Sequence, residues 1–330
     1  MRNDDIYISV IMPAYNSEKY IESTIMSVIN QPVKVELVIV NDGSTDKTDE
    51  ICRGYAERFD NINYISVENG GAGKARNIGL KRAKGKFIMY IDSDDLYYPN
   101  SINNQFIKKI QKYDLDGVDA IITCKSLTNM EQTVEPIVTK PESIREIKNH
   151  MPFNEFWTFI IRKSFMEEKN ITFFEYRKQD IETAFRYKVF SRTDKLVSDS
   201  DICFYLQRDN LESNTHTFNY YNLYSIKMMV YDGLDKEFNT YKLSDNDNSQ
   251  FYLKREAVRW AFEYFRYIRK AGLYAETRQQ LLKVIDTMKK IKMVKPWEFK
   301  DTSFKQVIKY YINICYSKLC SVVYKKRYQF

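Results

Sequence analysis

A chain of 330 residues with 44% hydrophobic and 29% charged residues is long enough to bury a full core, and its composition is that of a soluble globular protein with one large domain and an appendage. The net charge of +7 is modest, and the only two histidines, His150 and His216, argue against a His-rich zinc site. No apolar run of 18 or more residues is present to span a membrane, and five scattered cysteines without a CxxC pair point to reduced thiols. With an N-terminus, "MRNDDIYISV", that lacks the apolar core of a signal peptide, these features predict a cytoplasmic location.

The first hundred residues alternate between two periodicities. "YISVIMPAY" and "VELVIVNDG" are β-branched runs ending in turn residues, the pattern of strands buried on both faces. Between them "SEKYIESTIMSVIN" spaces Tyr20, Ile21, Ile25, Val28 and Ile29 for one helix face, with Ser17 in position to cap it. "STDKTDEICRGYAERF" predicts a second helix with Ile51, Tyr55 and Phe59 on one side. "INYISVEN" predicts a third strand, "GAGKARNIGLKRAKG" a third helix closed by Gly85, and "KFIMYI" a fourth strand. The fold class this predicts is α/β, a mostly parallel sheet flanked by helices. Beyond residue 100 the pattern loosens: "GVDAIITCKS" reads as a strand and "FNEFWTFIIRKSFMEEKNITFFEY" as a strand and helix. A mainly helical, charged region extends from about 216 to 330.

Ligands of such sheets sit outside the carboxyl ends of the strands. Here those ends read "PAYNSE", "NDGSTD", "ENGGAGKARN" and "DSDD", so four polar loops converge on one edge. The last places Asp92, Asp94 and Asp95 within four positions. Like charges that close repel unless a cation sits among them, and hard oxygen ligands suit Mg²⁺ or Mn²⁺ sharing coordination with phosphates. A solvated turn is the simpler alternative, and position at a strand end among matching loops favours the metal.

Together "ISVIMPAYNSEKYIESTIMSV", "ELVIVNDGSTDKT" and "NGGAGKARNIGLKRAKGKFIMYIDSDD" resemble the nucleotide-sugar-binding half of the family 2 glycosyltransferases, which have the Rossmann-like GT-A fold. The resemblance covers residues 8 to about 100 with every motif in order and continues less strictly to about 215. It implies a nucleotide-sugar-binding half over 1–100, an acceptor-binding half over 101–215 and a C-terminal helical region over 216–330. It also implies a metal-dependent, inverting transfer of sugar from a nucleotide donor, UDP-linked, to a hydroxyl of a glycan or lipid-linked acceptor in bacterial polysaccharide synthesis.

By the same resemblance Tyr15 lies against the nucleobase, and Asp42 accepts a hydrogen bond from its ring N–H. Arg76 approaches the base or diphosphate, while Asn77 and the small residues Gly71 and Gly73 let backbone come close. Pro13 and Ser93 belong to the same donor-contacting stretches. Asp94 is the implied direct ligand of Mn²⁺ or Mg²⁺, with Asp92 on ribose or metal and Asp95 beside them. For several of these a plainer role exists: Tyr15 as a core residue, Asp42 as a turn former, Arg76 as a surface arginine with an acidic neighbour.

The family's general base is the Asp of a Glu-Asp pair shortly before an aromatic. Here the segment reads "RKQDIETAFRYKVF", which puts Glu182 at the Asp position and Ile181 at the Glu position, with Asp180 as the rival base. Either could instead be a carboxylate favoured at a helix N-terminus. That irregularity leaves open a catalytically silent nucleotide-binding scaffold. A nucleotidyltransferase would want a Gly-rich phosphate loop after the first strand, and "PAYNSEKY" is not one. Arg208 resembles a residue that closes over the diphosphate, and Trp157 suits either a sugar face or the core.

Residues 302–330 carry six Lys or Arg and no Asp or Glu, and Phe304, Ile308, Tyr311, Ile312, Cys315, Leu319 and Val322 fall on one helical stripe. That pattern suits peripheral association with an anionic membrane at its inner face, and equally a core-packing or dimer-forming helix. No nucleic-acid partner is expected.

Overall fold

The computed structural model describes residues 7–127, 156–175 and 195–207, and between the last two residues 182, 185, 186, 188, 189, 192 and 193. The chain divides into Met1–Asn219 and Tyr220–Phe330, and every described residue belongs to the first unit. Asp180, Arg208, the region from 216 onward and the basic stripe of 302–330 lie outside the described residues.

The strands are β1 (Ile8–Ala14), β2 (Glu36–Asp42), β3 (Ile62–Val67), β4 (Phe87–Tyr90), β5 (Leu96–Tyr97), β6 (Ala120–Leu127), β7 (Phe159–Arg162) and β8 (Leu196–Gln207). They form one sheet in the order β3-β2-β1-β4-β7-β6-β8-β5. The half made of β3, β2, β1 and β4 is parallel throughout, with Val10 level with Leu37 on one side and Met89 on the other. Antiparallel β7 follows, so the sheet is mixed beyond β4. The helices are α1 (Ile21–Ile29), α2 (Thr48–Arg58), α3 (Ala72–Arg82), α4 (Asn104–Leu115) and α5 (Lys163–Glu168).

β1 and β2 are buried along their whole length, as apolar runs covered on both faces must be. Ile8, Val10 and Met12 share a core with Ile21, Ile25 and Val28 of α1, Tyr55 of α2, and Phe106 and Ile110 of α4. The alternate residues of the same strands face α3. A Cβ on Gly79 would lie 2.4 Å from Ile11 Cγ2, so α3 packs that tightly only because position 79 lacks one.

Two local expectations are corrected. α1 begins at Tyr20 without a side-chain cap; Ser17 instead offers its carbonyl to the amides of Tyr20 and Ile21 and turns its hydroxyl toward Ser93, 2.7 Å away. α3 ends at Ala83 rather than Gly85. Gly85 approaches the backbone of β1: its amide donates to Ser9 Oγ at 2.7 Å, and a Cβ there would lie 2.4 Å from Ser9 N. The buried Glu36 carboxylate completes this corner, taking Ser9 Oγ at 2.5 Å and Lys84 N at 2.7 Å. Gly85→Ala must displace backbone, and a loss of about 1–3 kcal/mol is expected, read as a lower midpoint in denaturant at unchanged slope.

α4, β5 and β8 had no counterpart in the sequence reading. β8 carries Phe204 and Tyr205 into the core, where Tyr97 and Phe106 meet Phe204 edge-on.

Candidate functional site

The four parallel strands deliver their carboxyl ends side by side. Tyr15, just beyond β1 and Pro13, is 51% exposed, whereas Pro13 is buried in the strand. The loop after β2 is built on it: Asn16 Oδ1 accepts from Thr45 N at 2.8 Å, and Asn16 N donates to Ser44 Oγ at 3.0 Å. Asn41 Oδ1 takes Ser44 N at 3.0 Å, and its amide donates to Asp49 at 3.0 Å and to Tyr64 at 3.0 Å.

Asp49 takes Arg53 Nε at 2.7 Å and the Tyr64 hydroxyl as well. The Arg53 hydrogen bond, then that of Tyr64, hold its carboxyl at about 2, well below the usual range. Because its folded value lies below the unfolded one, the stability it contributes is present above about pH 4 and lost as pH falls toward 2. Thermal melts from pH 7 to 2 should therefore decline less steeply below pH 4 for Asp49→Asn than for the wild type.

Asp42 closes the next loop. Its two oxygens accept from Gly70 N and Gly71 N, each at 2.8 Å, and its carbonyl takes Asn69 Nδ2 at 2.9 Å. Gly43 has φ +72°, and a Cβ there would sit 2.7 Å from Asn69 N, so the loops after β2 and β3 touch through it. Gly71, at φ 93°, starts α3. Gly73 is buried in the first turn of α3.

The loop after β4 turns tightly, Asp95 N donating to Asp92 O at 3.0 Å. Ser93 is held by Ser17 Oγ and, through its carbonyl, by Thr24 Oγ1 at 2.9 Å. The three carboxylates part company here. Asp95 is buried and takes the Tyr205 hydroxyl at 2.5 Å, while Tyr205 accepts from Asp92 N at 3.3 Å. Burial, and then the charges of Asp92 and Asp95, push the Tyr205 hydroxyl far above its ordinary value, so it stays a donor. Asp92 pairs with Arg76 Nη2 at 2.8 Å. Burial, with Asp94 adding to it, raises the Asp92 carboxyl against the opposing pull of Arg76. Asp94 is half-buried between them in sequence.

Arg76 is 3% exposed, and its other terminal nitrogen reaches Glu182 Oε1 at 3.0 Å. Its guanidinium lies over the rings of Phe156 (4.5 Å) and Phe173 (5.1 Å). Burial works against its charge, but Asp92 and Glu182 outweigh it and hold the pKa raised. So Arg76 is neither a surface arginine nor open to solvent; it joins the strand-end carboxylate to the one expected as base. Trp157 stacks on Tyr205 at 5.8 Å and packs partly buried against the core. Tyr205 was missed as a site residue; no spacing in the sequence links residue 205 to residue 95.

Among the described residues no group of three or more His, Cys, Asp or Glu is arranged to hold a metal. With Asp95 turned to Tyr205 and Asp92 paired to Arg76, the donor set fits a Mg²⁺ or Mn²⁺ ion bound by one or two carboxylates and completed by phosphate oxygens and water, not an all-protein cage.

Residues 9–169 match the family model described as glycosyl transferase family 2. That match assigns residues 9–169 to glycosyl transferase family 2. It is 31% identical over 222 residues to the uncharacterized glycosyltransferase EpsJ of Bacillus subtilis (strain 168), covering 63% of this chain and 62% of that protein. It therefore spans less than two thirds of that relative's length. The fold is shared with S. aureus TarS 1-349 in complex with UDP-GlcNAc, at a TM-score of 0.61 and 22% identity over 84% of this chain and 79% of that one. It is shared also with the mannosyltransferase PcManGT from Pyrobaculum calidifontis in complex with GDP-Man and Mn2+, at a TM-score of 0.53 and 15% identity over 94% and 87%. The mixed sheet flanked by helices is thus the GT-A fold of this family. Among the described residues no helix is long and apolar enough to cross a membrane.

Proposed function

We propose that this family 2 member transfers a sugar, with inversion, from a UDP-linked donor to a hydroxyl of a glycan or lipid-linked acceptor in bacterial polysaccharide assembly. The observation that carries this reading is the ion-pair bridge Asp92–Arg76–Glu182, which sets a carboxylate fit to be a base beside the loops fit to hold a nucleoside diphosphate. The UDP-GlcNAc complex of the similarly folded TarS supports the choice of nucleotide.

In this reading Tyr15 offers its exposed ring to the uracil, and Asp42, fixed by two glycine amides, presents its remaining lone pairs to the base. Ser93 and Asp92 face the ribose side. Asp94 is the protein's ligand to Mn²⁺ or Mg²⁺, with Asp92 next to it; bound there, the ion would stabilise charge on the departing diphosphate. Glu182 takes the proton of the acceptor hydroxyl as that oxygen attacks the anomeric carbon from the face opposite the diphosphate. Glu182 was preferred to Asp180 from sequence, and its pairing with Arg76 supports that preference. The chain works at the cytoplasmic membrane face, with 302–330 as the basic contact to anionic lipid.

Titration of UDP, GDP and dTDP into the full chain, with and without Mn²⁺, tests the donor assignment. UDP is expected to bind most tightly, and Mn²⁺ to tighten it at least about tenfold, about 1.4 kcal/mol. Binding of none of the three would overturn the reading.

A further inference from the structure

The catalytic reading leaves one buried polar contact without a task. Asn77 is 5% exposed and adjacent to Arg76 on α3. Its side-chain amide grips a distant segment. Asn77 Oδ1 accepts from Phe173 N at 2.8 Å, and its Nδ2 donates to Phe173 O at 2.9 Å and to Glu175 Oε1 at 3.2 Å. This two-way bond to one residue's backbone mimics a strand pairing made by a side chain, and fixes that residue in position and direction.

The neighbouring Arg76 holds Glu182, further along the same stretch of chain. The two grips are tied together. Phe173 and Phe185 stack face to face, their centroids 3.9 Å apart and planes within 1°. Lys188 Nζ donates to Thr172 O at 2.9 Å. Tyr90 of β4 meets both phenylalanine rings edge-on, which seats the assembly on the strand whose following loop carries Asp92.

We infer that Arg76 and Asn77 form a two-point clamp by which α3 positions Glu182 over the donor, so that both are positioning residues rather than donor contacts. The inference rests on Glu182 being the base. Asn77 gives the cleaner test, because its amide bonds to Phe173 and Glu175, whereas Arg76 pairs directly with Asp92 and Glu182. Arg76 needs its planar fork: a lysine keeps the charge but cannot serve two carboxylates in fixed directions.

The test compares wild type, Asn77→Ala, Arg76→Lys, Glu182→Gln and the double variant Asn77→Ala/Glu182→Gln, each in the full chain. UDP affinity is measured by titration with Mn²⁺, hydrolysis as UDP released from UDP-GlcNAc, UDP-glucose and UDP-galactose, and backbone exchange over 171–175 and 185–189 by mass spectrometry. Asn77→Ala and Arg76→Lys should each lower hydrolysis at least tenfold while UDP affinity moves less than threefold. In the Glu182→Gln background Asn77→Ala should cost less than a further twofold, as expected of residues acting through one group. Equal losses in both backgrounds, affinity falling in step with rate, or an unchanged rate would each overturn the clamp. If Asn77→Ala fails to fold, Asn77→Ser, which keeps a hydroxyl facing Phe173, takes its place under the same criteria. A wild type that binds UDP yet releases none from any of the three sugars would refute the proposed activity. The clamp would then stand or fall on whether Asn77→Ala speeds exchange in both segments at least tenfold.

Discussion

Glu182→Gln is expected to slow sugar transfer by about 10²–10⁴-fold, the usual contribution of a positioned general base, while leaving UDP affinity within about twofold. The amide keeps the size of the side chain and an oxygen to accept from Arg76, so the bridge at 3.0 Å loses its charge but not its shape. What disappears is the capacity to take a proton. Parallel measurement of kcat and of UDP binding separates this from damage to the donor site: a residue that acts on the acceptor hydroxyl lowers kcat without weakening the nucleotide. Asp180→Asn, made alongside, is expected to leave at least about half of the activity. The reverse outcome would move the base to Asp180.

Asp94→Ala should remove the Mn²⁺-linked gain in UDP affinity, about 10–100-fold, equivalent to about 1.4–2.8 kcal/mol, and reduce transfer below detection. Its two neighbours provide the contrast. Asp95 accepts the Tyr205 hydroxyl in the core, so Asp95→Asn should act on stability first, with metal-linked binding retained. Asp92 is paired to Arg76, so Asp92→Asn should disturb both the metal-linked affinity and the rate, through the ion it adjoins and through the arginine it anchors. Titration of UDP at several Mn²⁺ concentrations distinguishes these three patterns. A Mn²⁺ effect that survives in Asp94→Ala and vanishes in Asp95→Asn would reassign the metal ligand.

The parallel half of the fold was legible because its signals are local. β1 and β2 announce themselves as apolar runs closed by turn residues, and α1 and α2 by their spacing. Even there, the residues that end an element were misread. Ser17 and Gly85 carry the chemistry of a cap and a stop, but each is claimed by a partner far along the chain, Ser93 and Ser9 respectively, which local pattern does not reveal. β8 escaped notice because its polar stretch "SDSD" interrupts the apolar period, and pairing with β6 overrides that weak propensity.

The loop residues of the site were legible as a set through their place at the strand ends. Their division of labour was not. Three carboxylates within four positions look equivalent in sequence; only Tyr205 and Arg76, brought in from β8 and α3, make one a buried acceptor and another an ion-pair partner. Asn77 is grouped in the sequence with Gly71 and Gly73 as letting backbone come close, and its bonds to Phe173 span too much chain for any spacing rule to show.

The most direct test of the account is to follow the first-formed sugar when the full chain, with Mn²⁺, cleaves α-linked UDP-GlcNAc, UDP-glucose or UDP-galactose, reading the anomeric proton by NMR before mutarotation. Free UDP and the β-anomer are expected, from attack by a Glu182-activated oxygen opposite the diphosphate. Release of the α-anomer, or of UMP with a sugar 1-phosphate, would contradict it.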